Sequence, residues 1–180
     1  MAVETPVDAA PLLSQRLNNE ILLKREDLQP VFSFKLRGAY NKLRQLSKAQ
    51  LEAGVIAASA GNHAQGLALA AQKMGVKATI VMPITTPKIK VDAVRGWGAN
   101  VVLFGDNYDA AAGHANELIE QHGMTYIHPF DDPDIIAGQG TIGLEMLKSL
   151  TNLDTVIVPT SGGGLIGGIA IALKEQKPDI

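Results

Sequence analysis

In the stretch VFSFKLRGAY (Val31–Tyr40), a lysine sits between two apolar neighbours, Phe34 and Leu36, at what reads as a helix start. Ser33 is placed to cap that helix, which puts Lys35 in the first turn, where the aligned amide dipoles disfavour a cation. Burial beside Phe32, Phe34 and Leu36 would disfavour it further. Both effects weaken the amine's hold on its proton, as a nucleophilic or imine-forming lysine requires. A solvent-directed lysine in an ordinary first turn has the same local sequence.

Two further stretches carry chemistry. SAGNHAQG (Ser59–Gly66) follows a short apolar run and opens a helix. Such a turn offers free backbone N–H groups to a carboxylate or phosphate, with Ser59 and Asn62 adding side-chain hydrogen bonds and Gly61 allowing close approach. It is also compatible with a plain strand–helix turn capped by Asn62. TSGGGLIGG (Thr160–Gly168) again lies between a predicted strand and a helix. Consecutive glycines there cost stability; backbone approach to a phosphate is the better account of them, and a flexible strand–helix loop the plainer alternative. No GK[ST] follows, so it is not a Walker loop. Gly162, Gly164 and Gly167 fit G-x-G-x-x-G, but the chain ends before the acidic ribose partner that a dinucleotide site needs. His63, His114, His122 and His128 show no metal-ligand spacing, and Asp131, Asp132 and Asp134 with Pro133 read as a helix start.

The elements that must position these residues alternate. Strands are predicted at Ile21–Lys24, Val55–Ser59, Ala78–Met82, Asn100–Phe104, Thr125–His128 and Thr155–Val158. Helices are predicted at Phe34–Leu46, His63–Met74, Pro87–Trp97, Asn107–His122, Asp132–Leu150 and Leu165–Lys174. This is an α/β pattern with mainly parallel sheets. The sequence has 180 residues, a net charge of −2 and no cysteine, which speaks against a nucleic-acid field and excludes disulfides and thiolate chemistry. It has neither a signal pattern nor a run long enough to span a membrane, so a cytoplasmic protein is expected. The final KPDI leads toward another strand, so a fragment of a longer protein is expected.

A candidate amine nucleophile, an anion-binding turn and a phosphate-cradling glycine loop together suggest pyridoxal phosphate. A dinucleotide-binding oxidoreductase domain would account for the glycines but not for Lys35 or the Asn62 turn. A non-catalytic piece that only mediates contacts is the third alternative.

KREDLQPVFSFKLRGAY, ASAGNHAQG, DDPDIIAGQGT and VPTSGGGLIGG resemble the threonine dehydratase family, over about Thr5 to Ile180. LQPVFSFKLRGA is more similar to its biosynthetic branch. The resemblance implies a three-layer αβα fold of the tryptophan synthase β type, with two subdomains and an incomplete large one. Residues 1–37 and 129–180 would form the partial large domain and 38–128 the small domain. It implies pyridoxal 5'-phosphate held on Lys35 as a Schiff base, with Phe34 flanking the ring and Asn62 on its 3′ oxygen. Ser161, Gly162, Gly163, Gly164 and Leu165 would hold the phosphate, and Ser59, Ala60, Gly61 and His63 would line the substrate-carboxylate loop. It further implies deamination of L-threonine to 2-oxobutanoate and ammonia in isoleucine biosynthesis, with serine as a secondary substrate, and a homo-oligomeric, tetrameric parent. Serine racemase and serine dehydratase are related alternatives. Ser161 departs from a loop that often has four glycines. The family's partner for the pyridine nitrogen would lie outside this sequence, so the chain alone is expected to be inactive or very weak.

Overall fold

The computed structural model describes Met1–Ile180. At its centre is a four-stranded parallel sheet of β3 (Val55–Ala58), β4 (Ala78–Met82), β5 (Asn100–Leu103) and β6 (Thr125–Tyr126), in the order β5-β4-β3-β6. Val55 pairs with Ala78 on one side and with Thr125 on the other. All of β3 is buried, as expected for a parallel strand covered on both faces. Its residues alternate between two cores. Val55 and Ala57 join Ile80 and Met82 in the larger cluster, with α4 (Asn62–Met74), α5 (Lys88–Gly96) and α2 (Lys35–Gln45). Ile56 and Ala58 join Val81 in a second cluster under α6 (Tyr108–His122). The sheet is therefore the middle of three layers.

Local chemistry sets the helix ends. Asn107 caps α6 by accepting from the Ala110 amide, and Gly75 and Gly123 end α4 and α6 in the left-handed conformation. Asp132 caps α7 (Pro133–Ser149), accepting from the amides of Asp134 and Ile135, with Pro133 at the first helical position. α3 (Lys48–Ala53) opens with a reciprocal Ser47–Gln50 capping box.

The N-terminal segment is an antiparallel ribbon, β1 (Val7–Ala9) with β2 (Leu22–Lys24), joined by α1 (Pro11–Leu17) and followed by a single 3₁₀ turn, Glu26–Leu28. It is fixed to the body by charge. The Arg37 guanidinium, 3% exposed, is clamped by Glu26 at 2.8 Å and Glu145 at 2.6 Å. Lys24 reaches the same Glu145 at 2.6 Å. Burial disfavours both charges. The paired hydrogen bonds outweigh it, so Arg37 is held more firmly protonated and Glu145 more firmly ionised than usual.

α2, α7 and α8 (Gly164–Gln176) pack side by side, with glycines at the crossings. A Cβ on Gly138 would come within 2.6 Å of the Gly38 Cα, and one on Gly168 within 2.7 Å of the Gly140 nitrogen. These helices approach backbone to backbone. Lys42 ties α2 to the start of α7 through Asp132 at 2.7 Å and Asp134 at 2.9 Å.

The α/β class and the parallel sheet agree with the sequence pattern, but several elements differ from it. α1 and α3 have 7 and 6 residues, too short to display a helical period, and β1 was not anticipated. The predicted strand Thr155–Val158 does not form: its backbone makes no ladder, and Ile157 is 92% exposed. A β-rich sequence forms a strand only beside a partner, and no neighbour is available there.

Candidate active site

The strand order reverses at β3. β4 and β5 extend the sheet to one side, and β6 returns to pair on the other. In open α/β sheets ligands bind outside the carboxyl ends of the strands at such a reversal. Ser59–Gly61 leaves the end of β3 there, and Ile127–Phe130 leaves the end of β6.

Lys35 is the first residue of α2, and its half-buried amine donates to the Pro129 carbonyl at 2.5 Å. Burial lowers its proton affinity below that of an ordinary lysine. The ammonium also lies 5.4 Å from the centroid of the Phe34 ring. The expected cap is absent. The N-cap residue is Phe34, in helical conformation, and the buried Ser33 hydroxyl has no hydrogen-bond partner. Ser33 lies one residue too early, because the chain is already helical at Phe34. Phe32, in contrast, is 77% exposed with a left-handed φ of +55°.

The Ser59–Gly66 turn meets α2 directly. A Cβ on Gly66 would lie 2.9 Å from the Leu36 nitrogen, so the backbones of α4 and α2 touch beside Lys35. The Ser59 hydroxyl accepts from the Gly61 amide at 3.3 Å, and Ser59 and Ala60 are half-buried. Gly61, not Asn62, is the N-cap; Asn62 is the exposed first residue of α4. A Cβ on Gly61 would meet nothing within 4 Å, so the fold itself leaves open space above this turn. His63 turns inward. Its Nε2 pairs with the Ile127 carbonyl at 2.9 Å, and burial pushes its pKa down to about 4, so the ring is neutral.

The glycine loop packs on the same region. Ser161 and Gly163 have left-handed φ of +42° and +89°, and the Gly163 amide closes the turn on the Thr160 carbonyl at 2.8 Å. Gly163 caps α8, and the amides of Gly164, Leu165 and Ile166 have no protein acceptor. Cβ atoms on Gly162 or Gly164 would come within 2.5 Å of Phe130, which covers both glycines. Phe34 and Leu165 pack on one small cluster between α7 and α8.

The three motifs therefore converge on Ile127–Phe130, which the motif reading did not single out. The residues suit pyridoxal phosphate. A half-buried amine stands ready for the aldehyde, free amides at a helix N-terminus suit the phosphate, and the Gly61 turn has open space beside it. No cluster of three His, Cys, Asp or Glu side chains is placed to hold a metal ion, and no helix is long and apolar enough to cross a membrane.

A fold of this class, with a lysine at the sheet's reversal point and a phosphate-type glycine loop beside it, is that of a cofactor-dependent α/β enzyme. Residues 2–180 match the family described as pyridoxal-phosphate dependent enzyme, and the chain belongs to that family. It is 58% identical to threonine dehydratase 1 biosynthetic, chloroplastic, of Solanum lycopersicum, over all of this chain and 30% of that protein. It is 54% identical to the biosynthetic L-threonine dehydratase of Escherichia coli, over 98% of this chain and 34% of that protein. Among solved structures, the processed form of threonine deaminase isoform 2 from Solanum lycopersicum superposes with a TM-score of 0.96 at 54% identity, over 99% of this chain and 49% of that one. Maize serine racemase gives 0.97 at 36% identity, over 99% of this chain and 54% of that one. The chain thus spans about a third of the curated relatives and about half of the solved chains.

Proposed function

We propose that this chain carries the reactive lysine and the cofactor cradle of a pyridoxal-phosphate dependent ammonia-lyase that converts L-threonine to 2-oxobutanoate and ammonia. One observation carries the reading: the Lys35 amine is desolvated at the sheet's reversal point, within one packed region with the glycine loop. Identities of 54–58% to proteins named threonine dehydratase favour threonine as substrate.

In this reading Lys35 anchors the cofactor, with Phe34 beside the ring and Asn62 at its 3′ oxygen. Ser161, Gly162, Gly163, Gly164 and Leu165 take the phosphate through the loop and the free amides of α8. Ser59, Ala60 and Gly61 receive the substrate carboxylate, and His63 holds that turn against β6. Bound pyridoxal phosphate supplies an electron sink for charge developing at the substrate Cα. Lys35, in its neutral form, takes the Cα proton, and burial keeps that form accessible. The β-hydroxyl departs as water, and hydrolysis of the carbon–nitrogen bond then gives the 2-oxoacid and ammonia. Serine would give pyruvate in the same way.

The division into 1–37 with 129–180 and 38–128, a role in isoleucine biosynthesis, a cytoplasmic location and a homo-oligomeric parent all belong to this proposal. Plant relatives are named as chloroplastic, so the compartment follows the host. Serine racemization is the second reading, favoured by the superposition on maize serine racemase.

The test is titration of the purified chain with pyridoxal phosphate, followed by visible absorption, borohydride reduction and mass mapping. Labelling at Lys35, lost in Lys35→Ala, is expected. A folded chain that labels elsewhere or not at all would overturn the cradle assignment. Product analysis with threonine and serine, on a protein of the relatives' length, separates lyase from racemase.

A further inference from the structure

The turn between β6 and α7 serves all three motifs. Ile127 offers its carbonyl to His63, Pro129 offers its carbonyl to Lys35, and Phe130 covers Gly162 and Gly164. Its shape is held from within by one side chain. His128 Nδ1 accepts from the Asp131 amide at 2.7 Å and from the Phe130 amide at 3.3 Å. A ring nitrogen that accepts two N–H groups carries no proton, so the imidazole is neutral with its hydrogen on Nε2. Tyr126 and Phe130 pack edge-on to the ring, with centroids at 6.2 and 4.7 Å, and fix its plane. Pro129, between the ring and the amides it holds, has restricted backbone freedom and no N–H to satisfy. The turn is thus bent until one carbonyl faces the amine of α2.

We propose that His128 is a positioning residue for the Lys35 amine: its Nδ1 folds residues 128–131 into the turn that sets the Pro129 carbonyl on that amine. The proposal rests on the reading of Lys35 as the reactive group, and it concerns the turn rather than the chemistry. His128 hydrogen-bonds to the Phe130 and Asp131 amides and not to Lys35. It acts through Pro129 and Phe130.

The test uses the full chain with His128→Asn, His128→Gln and His128→Ala. An asparagine oxygen can take the place of Nδ1, whereas a glutamine oxygen reaches toward Nε2. Lys35 is read without cofactor, by its rate of reductive methylation with formaldehyde and cyanoborohydride, mapped by mass spectrometry. The Phe130 and Asp131 amides are read by hydrogen exchange. The alanine and glutamine variants should change the Lys35 rate and speed both amides by about fivefold or more, the scale of one lost hydrogen bond. The asparagine variant should restore both. An unchanged Lys35 rate in a folded glutamine or alanine variant would overturn the proposal. If those variants do not fold, the wild-type tautomer decides, because nitrogen NMR showing a protonated Nδ1 overturns it. Failure of pyridoxal phosphate to label wild-type Lys35 would strike the proposed function while leaving the methylation result intact.

Discussion

Lys35 and His63 are both basic side chains next to carbonyls of one turn, yet burial gives them different consequences. Lys35 keeps an accessible amine. His63, with its pKa near 4 against an ordinary 6.5, stays neutral in the fold and takes up a proton only when the chain unfolds. The unfolded state therefore binds more protons between those values. The stability His63 permits is fully present above the unfolded value and is lost as pH falls toward 4, by roughly 3 kcal/mol. Urea denaturation at pH 7.5 and pH 5 should show this loss in the wild type and a shallower loss in His63→Gln; equal slopes would count against it. Lys35 was legible in the sequence because its type and its place at a helix start are both local. His128 was not. Its role depends on two amides that approach it only after the turn forms, and a search for metal spacing does not look for backbone donors.

At the scale of elements, the helix glycines divide into those that the packing requires and those it does not. Gly138 and Gly168 lie where backbones touch, whereas a Cβ on Gly113 of α6 would meet nothing within 4 Å. Gly138→Ala and Gly168→Ala should each destabilise the chain by about 3 kcal/mol, because the backbone must move. Gly113→Ala should stabilise it by about 0.5–1 kcal/mol through helix propensity alone. Chemical denaturation of the three variants checks both signs, and a stabilised Gly138→Ala would refute the close-contact account. Helix periodicity located α2, α4, α6 and α7 to within a residue or two, since each is long enough to show a stripe. It could not tell which glycines face a neighbour. It also gave Thr155–Val158 a strand's composition without the pairing that makes one. Amides 151–158 donate to no backbone carbonyl, so they should exchange within minutes while those of β3 are protected.

For the whole molecule, the N-terminal segment and helix α7 meet through Arg37 of α2. Sequence reading passed over this residue because an arginine in a first turn looks like solvated surface. Arg37→Met leaves Glu26 partly buried without a cation and Glu145 with Lys24 alone, and should cost about 3–5 kcal/mol, read as a lower urea midpoint. Double substitution with Glu145→Gln should recover part of that loss; strict additivity would mean the two charges are not coupled.

The same clamp bears on the order in which the chain folds. Arg37 and Glu145 are 108 residues apart, while β3, β4 and the helix between them are consecutive in the chain. Closing so long a loop is entropically costly, so the central sheet is expected to assemble first and the clamp last. Substitutions at Arg37 should then leave the refolding rate nearly unchanged and speed unfolding, giving a φ-value near zero, whereas truncation of Ile80 should slow refolding. Stopped-flow chevrons would distinguish the two. The clamp would thus act as a latch on lifetime, governing how long the assembled site persists and not how quickly it forms.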